Sequence, residues 1–152
     1  MFISEAASTG KTVVAKIKPG EDLFSALNKI IKKHDINCGY IPVIQGCLKQ
    51  CRLLTVDKLD NETELTNNRF ELNEVMVFNG SGTIARDENG DAFVHIHTTV
   101  TSQKDGVKMG HLLAGTVCLT TEVVIAELND IKMGRKEDPD ANNETLLYIE
   151  KF

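Results

Sequence analysis

The chain has 152 residues, of which 41% are hydrophobic and 26% charged, and its net charge is −5. This length suits one domain with a sizeable core, and the composition argues against a disordered chain. The acidic charge argues against tight nonspecific binding to nucleic acid, because phosphate contacts need clustered lysine and arginine. The apolar runs are too short to cross a membrane and the first residues lack the order of a signal peptide, so we expect a cytoplasmic protein without membrane contact.

The beginning of the chain predicts one strand and one helix. Residues 11–17 favour a strand, which Pro19 and Gly20 end. In residues 21–34 the apolar side chains recur at the spacing of one helical face, at Leu23, Phe24, Leu27, Ile30 and Ile31. Acidic residues at the start and basic residues at the end suit the helix dipole, and His34 is expected to cap the helix or to lie on the surface.

The next part of the chain predicts strands and turns. Residues 38–56 are expected to contain one or two strands, with Gly46 at a bulge or a close backbone contact. The polar residues 60–68 predict a loop. Residues 71–87 predict two strands that meet near the Asn79–Gly80 pair, and the glycines there favour a bulge or a close crossing of strands over a phosphate-binding loop.

The remaining elements follow in the same manner. The Asn89–Gly90 pair predicts a tight turn before a strand over residues 92–100, and residues 102–106 predict another turn. Residues 110–128 are rich in β-branched side chains and predict one or two more strands. Residues 133–152 predict a polar loop followed by a short apolar end. Together the elements predict an α+β domain in which one principal helix packs on a mostly antiparallel sheet.

Two of the four histidines occupy the strand predicted over residues 92–100. His95 and His97 are two residues apart, so both point to the same face, roughly 6 to 7 Å from each other. If the following turn centres on Lys104, His111 lies across from His97 on the returning strand. Three imidazoles arranged in this way can bind Zn²⁺ at about 2.0 to 2.1 Å and leave a fourth position open. The alternative is that these histidines are polar residues on the exposed face of an amphipathic strand.

Other candidate residues have less distinctive patterns. Glu122 and Glu127 could orient a ligand histidine or act as acid–base groups, although period-2 alternation favours side chains that face the solvent. The cysteines contain no CxxC pair, so small buried thiols are favoured over metal ligands, at Cys38, Cys47, Cys51 and Cys118. Two small basic clusters occur, at Lys29, Lys32 and Lys33 and at Lys132, Arg135 and Lys136.

A family resemblance rests on three stretches of the chain. They are GEDLFSALNKIIKKHDI, FNGSGTIARDENGDAFVHIHTTVTSQKDGVKMGHLLAGTVCLTTEVVIAEL and EDPDANNETLLYIE, and they resemble the plant and prokaryote conserved (PPC) domain family. The most specific parts are HIH at residues 95–97 and GHLLAGTV at residues 110–117. The resemblance implies a single PPC-type domain over residues 1–152, with an ordered core from about residue 12 to residue 150.

The resemblance implies an α+β fold and a homotrimer that holds a divalent metal, usually zinc, on His95, His97 and His111. Plant members of the family join the domain to AT-hook segments that bind DNA, which implies a DNA-associated or regulatory role. The net charge of −5 and the lack of an Arg-Gly-Arg-Pro AT-hook disfavour direct DNA binding by this chain.

The same fold group includes acetolactate decarboxylase, which implies a second hypothesis. That enzyme is similar in binding zinc through an HxH pair and a later histidine, so this chain could be a metal-dependent lyase that acts on a small oxygen-rich substrate. Such an enzyme needs a basic residue for a carboxylate and a nearby acid. The sequence cannot place Arg52 or Arg86 at the histidines, which favours a noncatalytic protein over an enzyme.

Overall fold

The computed structural model describes residues 3–59, 65–74, 76–139 and 144–151. In these ranges the chain forms one helix and eight strands. In chain order they are β1 (Ser8–Ile17), α1 (Leu23–Lys33), β2 (Gly39–Leu59), β3 (Leu65–Leu72), β4 (Met76–Arg86), β5 (Ala92–Ser102), β6 (Gly106–Asn129), β7 (Ile131–Asp138) and β8 (Glu144–Lys151). Within these ranges no helix has the length and hydropathy needed to span a membrane.

The helix α1 forms where the apolar spacing predicted it. Its first turn is capped by Asp22, whose carboxylate accepts a hydrogen bond of 2.8 Å from the Ser25 N–H. At the other end the N–H of His34 donates to the Ile30 carbonyl at 3.1 Å, and this confirms the capping position of that histidine. The buried face packs against the sheet through Leu23, Ala26, Leu27 and Ile31.

All eight strands belong to one sheet in the order β3-β2-β6-β5-β4-β7-β8, with β1 paired to β6. The pairings are antiparallel, except that β4 and β7 are parallel. A further pairing of β2 with β4 links β2, β6, β5 and β4 into a closed ring. The sheet and its helix confirm the predicted α+β class.

The strands β2 and β6 are long single strands of 21 and 24 residues, where the sequence allowed one or two. In β2 the pairing register with β6 shifts between Gly46 and Cys47. Gly46 has a φ of +155°, and a Cβ at this position would lie 2.2 Å from the carbonyl oxygen of Thr120. The structure therefore confirms both a bulge and a close backbone contact at Gly46.

The strand β4 runs without interruption through Asn79 and Gly80, so the prediction of two strands meeting there was wrong. Its register with β5 is regular over residues 77–86. A Cβ at Gly80 would lie 2.5 Å from the carbonyl oxygen of His97. Glycine at this position therefore permits a close crossing of two strands and does not make a turn.

Two polar stretches form strands that the sequence did not predict. The loop expected over residues 60–68 was wrong for residues 65–68, which begin β3, while residues 60–64 lie outside the described residues. The polar loop expected from residue 133 was likewise wrong, because residues 133–138 belong to β7. Backbone hydrogen bonds to a neighbouring strand do not depend on the side chains. A strand near the periphery of a sheet can therefore have a largely polar sequence without regular alternation of apolar residues.

Both predicted turns are confirmed. In the first, the N–H of Gly90 donates to the Asp87 carbonyl at 3.0 Å, and Gly90 has a φ of +83°. In the second, the N–H of Asp105 donates to the Ser102 hydroxyl at 2.9 Å. The turn after β5 therefore lies at residues 102–106, as the predicted pairing of His97 with His111 requires.

The cysteines are free thiols, and the prediction of buried thiols is confirmed for two of them. Cys38 and Cys51 are buried, whereas Cys47 and Cys118 are half-buried. Burial raises the pKa of the Cys51 thiol to about 11, so this side chain is a protonated thiol at neutral pH.

Candidate metal centre

The three histidines lie on the adjacent strands β5 and β6. On β5 the intervening Ile96 is fully buried, so the side chains of His95 and His97 point to the opposite face of the sheet. His97 is directly opposite His111 in the antiparallel pairing. This is the register that the predicted turn required, and residues that are directly opposite each other share a face.

The three imidazole rings form a compact cluster. The ring centroid of His95 is 4.3 Å from that of His111 and 4.9 Å from that of His97. His111 Nδ1 and His95 Nε2 are 2.9 Å apart, which is a hydrogen-bond distance. One candidate ligand nitrogen from each ring lies within 4.8 Å of the others, and the group contains no described carboxylate.

The spacing of these nitrogen atoms is slightly wider than that of the ligands of a bound transition metal. A metal with bonds of about 2.0 to 2.1 Å to each imidazole holds its nitrogen ligands roughly 3 to 4 Å apart. The nitrogen atoms of this cluster lie within 4.8 Å of one another, and His97 is exposed to solvent, where its ring can turn towards the other two.

The surroundings of His95 and His111 disfavour protonation of these two rings. Burial, followed by positive charge on His111, Arg135 and His97, lowers the pKa of His95 to about 4. Burial also lowers the pKa of His111, with contributions from His97 and Arg135. Both rings are therefore neutral near pH 7, and the neutral imidazole is the form that binds metal ions.

Glycines on β4 and β6 permit a close approach of neighbouring strands around the histidines. Gly82 on β4 is the register partner of Ile96, and a Cβ at Gly82 would lie 2.3 Å from the His95 carbonyl oxygen. On β6 a Cβ at Gly110 would lie 2.5 Å from the carbonyl oxygen of Leu54. Gly82 therefore permits the close approach of β4 to the strand that carries His95 and His97.

A cleft of about 830 Å³ lies beside His97 and His111. Its walls come from β2, β3, β4, β5 and β6. Most of the lining side chains are small or polar without charge, such as Thr55, Asn67, Asn79, Ser81 and Thr99, and a few are apolar, such as Met109. The cluster is therefore reachable by a small molecule from this side of the sheet.

Arg135 on β7 also approaches the cluster, and sequence reasoning missed it. Its Nη2 donates to the hydroxyl of Thr83 at 3.2 Å, and Thr83 is the register partner of His95. The sequence placed Arg135 only in a small basic cluster, within a stretch expected to be a loop. The parallel pairing of Arg86 with Gly134 is what brings β7 to this part of the sheet.

The two arginines considered from the sequence have other environments. Arg86 donates to the carbonyl oxygens of Ile36 at 2.6 Å and Asn37 at 2.9 Å, so it stabilises the connection after α1. Arg52 lines a separate cleft together with Asp22. Neither side chain contacts the histidines in the hydrogen bonds of the described residues.

The two glutamates differ from each other. Glu122 is exposed and accepts a hydrogen bond from Gln45 at 3.3 Å, which confirms the expected surface position. Glu127 is only 8% exposed and forms an ion pair with Lys11 at 3.5 Å. The prediction that Glu127 faces solvent was wrong, because β1 pairs alongside β6 and covers this position.

Comparison with solved structures shows a shared fold. The chain is similar to a plant- and prokaryote-conserved (PPC) protein from Pyrococcus horikoshii, with a TM-score of 0.80, 24% identity and coverage of 99% of this chain and 100% of that chain. It is similar to a metal-containing protein from Archaeoglobus fulgidus, with a TM-score of 0.79, 21% identity and coverage of 97% and 99%. At these identities the likeness establishes the fold alone.

Two further structures extend this comparison. A "putative DNA-binding protein" from Bacteroides thetaiotaomicron has a TM-score of 0.72, with 21% identity over 93% of this chain and 96% of that chain. The α-acetolactate decarboxylase from Bacillus subtilis has a TM-score of 0.53, with 17% identity over 80% of this chain and 53% of that chain. The predicted relation of the fold to PPC proteins and to acetolactate decarboxylase is therefore confirmed.

Curated proteins and a family model complete the comparison. The chain is 28% identical over 137 residues to the bifunctional protein GlmU from Synechococcus sp. (strain JA-3-3Ab), and it spans only 20% of that relative's length. The model of the Plants and Prokaryotes Conserved (PCC) domain matches residues 4–129. This match covers most of the chain and agrees with the motifs seen in the sequence. The chain therefore belongs to the plant and prokaryote conserved (PPC) domain family.

Proposed function

We propose that this chain is a noncatalytic PPC domain that binds a divalent transition metal ion, with zinc as the first choice, through His95, His97 and His111. The observation that carries this proposal is the convergence of one nitrogen from each ring within 4.8 Å. Imidazole suits zinc and its neighbours in the transition series, whereas magnesium and calcium prefer oxygen ligands. The related fold of the metal-containing protein from Archaeoglobus fulgidus supports the proposal.

A metal bound at this cluster would join β5 to β6 near their hairpin. Because the ligands come from two strands, metal binding would add to the free energy of unfolding. Three protein ligands are the number that leaves a zinc ion with a position for water or another small ligand. The cleft beside His97 and His111 is where such a ligand would enter.

Elemental analysis of the purified protein tests the metal proposal. We expect about one transition metal ion per chain after extensive dialysis, since a site with three histidines retains zinc tightly. Absence of metal, together with no uptake of added Zn²⁺ in a titration, would contradict the proposal.

We also propose a homotrimer. The histidine-bearing side of the sheet presents Val77, Val107 and Met109, which are 63%, 66% and 69% exposed. Thr101 pairs with both Val77 and Val107, so these two side chains flank it on adjacent strands. We refer to these three side chains as the apolar patch, and exposed apolar groups on one face of a sheet are typical of an interface between protein chains.

The assembly is tested by the mass of the protein in solution. In the Met109→Lys variant a charge is placed within the patch, so we expect the trimer to dissociate, as measured by light scattering. Leu146→Lys on β8 is the matched control, because Leu146 is 42% exposed but lies on the last strand of the sheet order. A monomeric wild-type protein would refute the trimer.

The domain organisation and the DNA-associated role are likewise proposals. We infer one PPC-type domain over residues 1–152, since all eight strands join one sheet. A DNA-associated or regulatory role is supported by the name of the Bacteroides thetaiotaomicron structure. Because the net charge is −5, we expect direct binding to duplex DNA to be weak. A gel shift at low salt that disappears at higher salt would show direct binding.

The second candidate function is a metal-dependent enzyme that acts on a small oxygen-rich substrate, in the manner of an acetolactate decarboxylase-like lyase. One observation favours it: Arg135 supplies beside His95 the basic residue that such an enzyme needs. Turnover of a keto acid by the zinc-loaded protein, and its loss in the Arg135→Gln variant, would select this alternative. No turnover with intact zinc binding would select the noncatalytic function.

A further inference from the structure

Arg135 is a half-buried cation for which the described residues show no ion pair. Its side chain is half-buried, and burial is the cause that lowers its pKa. Arg135 takes part in neither the ion pair between Lys11 and Glu127 nor that between Lys29 and Glu21. Removing a guanidinium from water without a compensating anion is costly, so a site of this kind favours an anionic ligand.

The hydrogen bonds of Arg135 are also incomplete. Nη2 donates to Thr83, whereas Nε is buried and has no hydrogen-bond partner. A buried donor left unpaired costs about 1 to 3 kcal/mol. Nε and a terminal nitrogen of arginine together present parallel N–H groups that match the two oxygens of a carboxylate. The unsatisfied Nε therefore indicates a particular ligand geometry as well as a charge.

The position of Arg135 connects it to the histidine cluster. Thr83, which Arg135 contacts at 3.2 Å, lies directly opposite His95 on the neighbouring strand, so the two side chains are on the same face. The guanidinium therefore lies beside the strand position opposite His95, one of the three proposed metal ligands.

From these observations we infer that Arg135 and Thr83 form a subsite for a small carboxylate adjacent to the three-histidine centre. This inference rests on the proposed metal function, because the second oxygen function of the ligand would be directed towards the metal. A carboxylate is favoured over phosphate, since one guanidinium and one hydroxyl match one negative charge. Asp87, Glu88 and Glu137 line a cleft together with Arg135, and they would repel a doubly charged anion more strongly than a carboxylate with a single charge.

The alternative is that Arg135 only supports the fold. Its guanidinium carbon is 5.8 Å from the ring centroid of Phe93, a stacking distance, and the contact with Thr83 joins β7 to β4. A purely structural arginine would influence stability without affecting the binding of any anion. The experiment must therefore measure ligand affinity on folded protein.

The test is calorimetric titration of the zinc-loaded protein with pyruvate, with phosphate and chloride as separate arms at constant ionic strength. We expect pyruvate to bind the wild-type protein, and the Arg135→Gln variant to bind it at least tenfold more weakly, which is about 1.4 kcal/mol. Arg135→Lys keeps the charge but loses the paired N–H groups, so it should weaken binding as well. Lys136→Gln is the matched control, because Lys136 is the neighbouring cation on β7 and packs on Tyr148.

The outcomes separate this inference from the metal proposal. Zinc content and thermal unfolding are measured for each variant, and Arg135→Lys replaces Arg135→Gln if the latter does not fold. Equal pyruvate affinity in wild-type and Arg135 variants that retain zinc would overturn the carboxylate subsite. Equal or tighter binding of phosphate would overturn the assignment to carboxylates. Failure of the wild-type protein to hold zinc would instead refute the metal proposal.

Discussion

His97 and His111 are direct partners in the antiparallel pairing of β5 with β6. A shift of one residue in this register would turn His111 to the buried face of the sheet. The register is determined by the hairpin between the strands, in which the N–H of Asp105 donates to the Ser102 hydroxyl. The geometry of a short turn therefore decides whether three imidazoles can meet.

Replacement of His97 by alanine should remove metal binding. With one of three ligands lost, we expect the zinc affinity to fall by more than about 100-fold, beyond the 10- to 100-fold effect of losing an orienting partner. The affinity is measured by competition with a chromophoric chelator. His34→Ala is the control, because His34 caps α1 and should leave the affinity unchanged. Equal affinities in both variants would disprove the role of His97.

Replacement of Gly82 by alanine should destabilise the sheet at the histidine strand. A Cβ at Gly82 would lie 2.3 Å from the His95 carbonyl oxygen, so β4 and β5 must separate. We expect the free energy of unfolding in urea to fall by about 1 to 3 kcal/mol, the usual cost of overpacking. In Gly134→Ala the new Cβ has ordinary contacts of 3.4 Å or more, so this control should remain close to wild type. A stable Gly82→Ala protein would show that the strands are less closely held.

The stability of the metal-free protein should depend on pH through His95. The folded-state pKa of about 4 lies below the ordinary value of 6.5, so the unfolded chain binds the proton more readily between these values. The stabilisation from neutral His95 is therefore complete above pH 6.5 and is lost as the pH falls towards 4, by at most about 1.4 kcal/mol per pH unit. Urea unfolding at pH 7 and pH 5 measures this loss of stability. The difference in the free energy of unfolding between the two pH values should be smaller in the His95→Asn variant.

Replacement of Glu127 by glutamine should affect stability but not metal binding. Glu127 accepts a hydrogen bond from the Lys11 backbone N–H at 3.3 Å and pairs with the Lys11 ammonium at 3.5 Å. The ammonium is largely exposed, so we expect a loss of about 1 kcal/mol in the free energy of unfolding. In the control variant Glu122→Gln, on the exposed face, neither the free energy of unfolding nor the zinc content should change. Loss of zinc from the Glu127→Gln protein would show that Glu127 supports the metal centre.

Much of the fold and the main features of the site followed from local sequence patterns. The helix α1 was predictable from apolar spacing and its Asp22 cap, and the Asn89–Gly90 turn from its dipeptide. The spacing of His95 and His97 on a strand, with His111 after one turn, predicted the cluster that the structure shows. These signals are local, since helical period, strand alternation and turn chemistry act over a few residues.

Contacts between distant segments decided the rest. The strands β3 and β7 have largely polar sequences, and backbone pairing with β2, β4 and β8 holds them in the sheet together with a few buried apolar side chains. The burial of Glu127 depends on β1, and the position of Arg135 beside Thr83 depends on β7 joining β4. The sequence alone determined which three imidazoles come together and how a single hairpin presents them. The tertiary structure decided that the guanidinium of Arg135 lies near the histidines. Pairing between distant strands is not encoded in the local pattern of either strand.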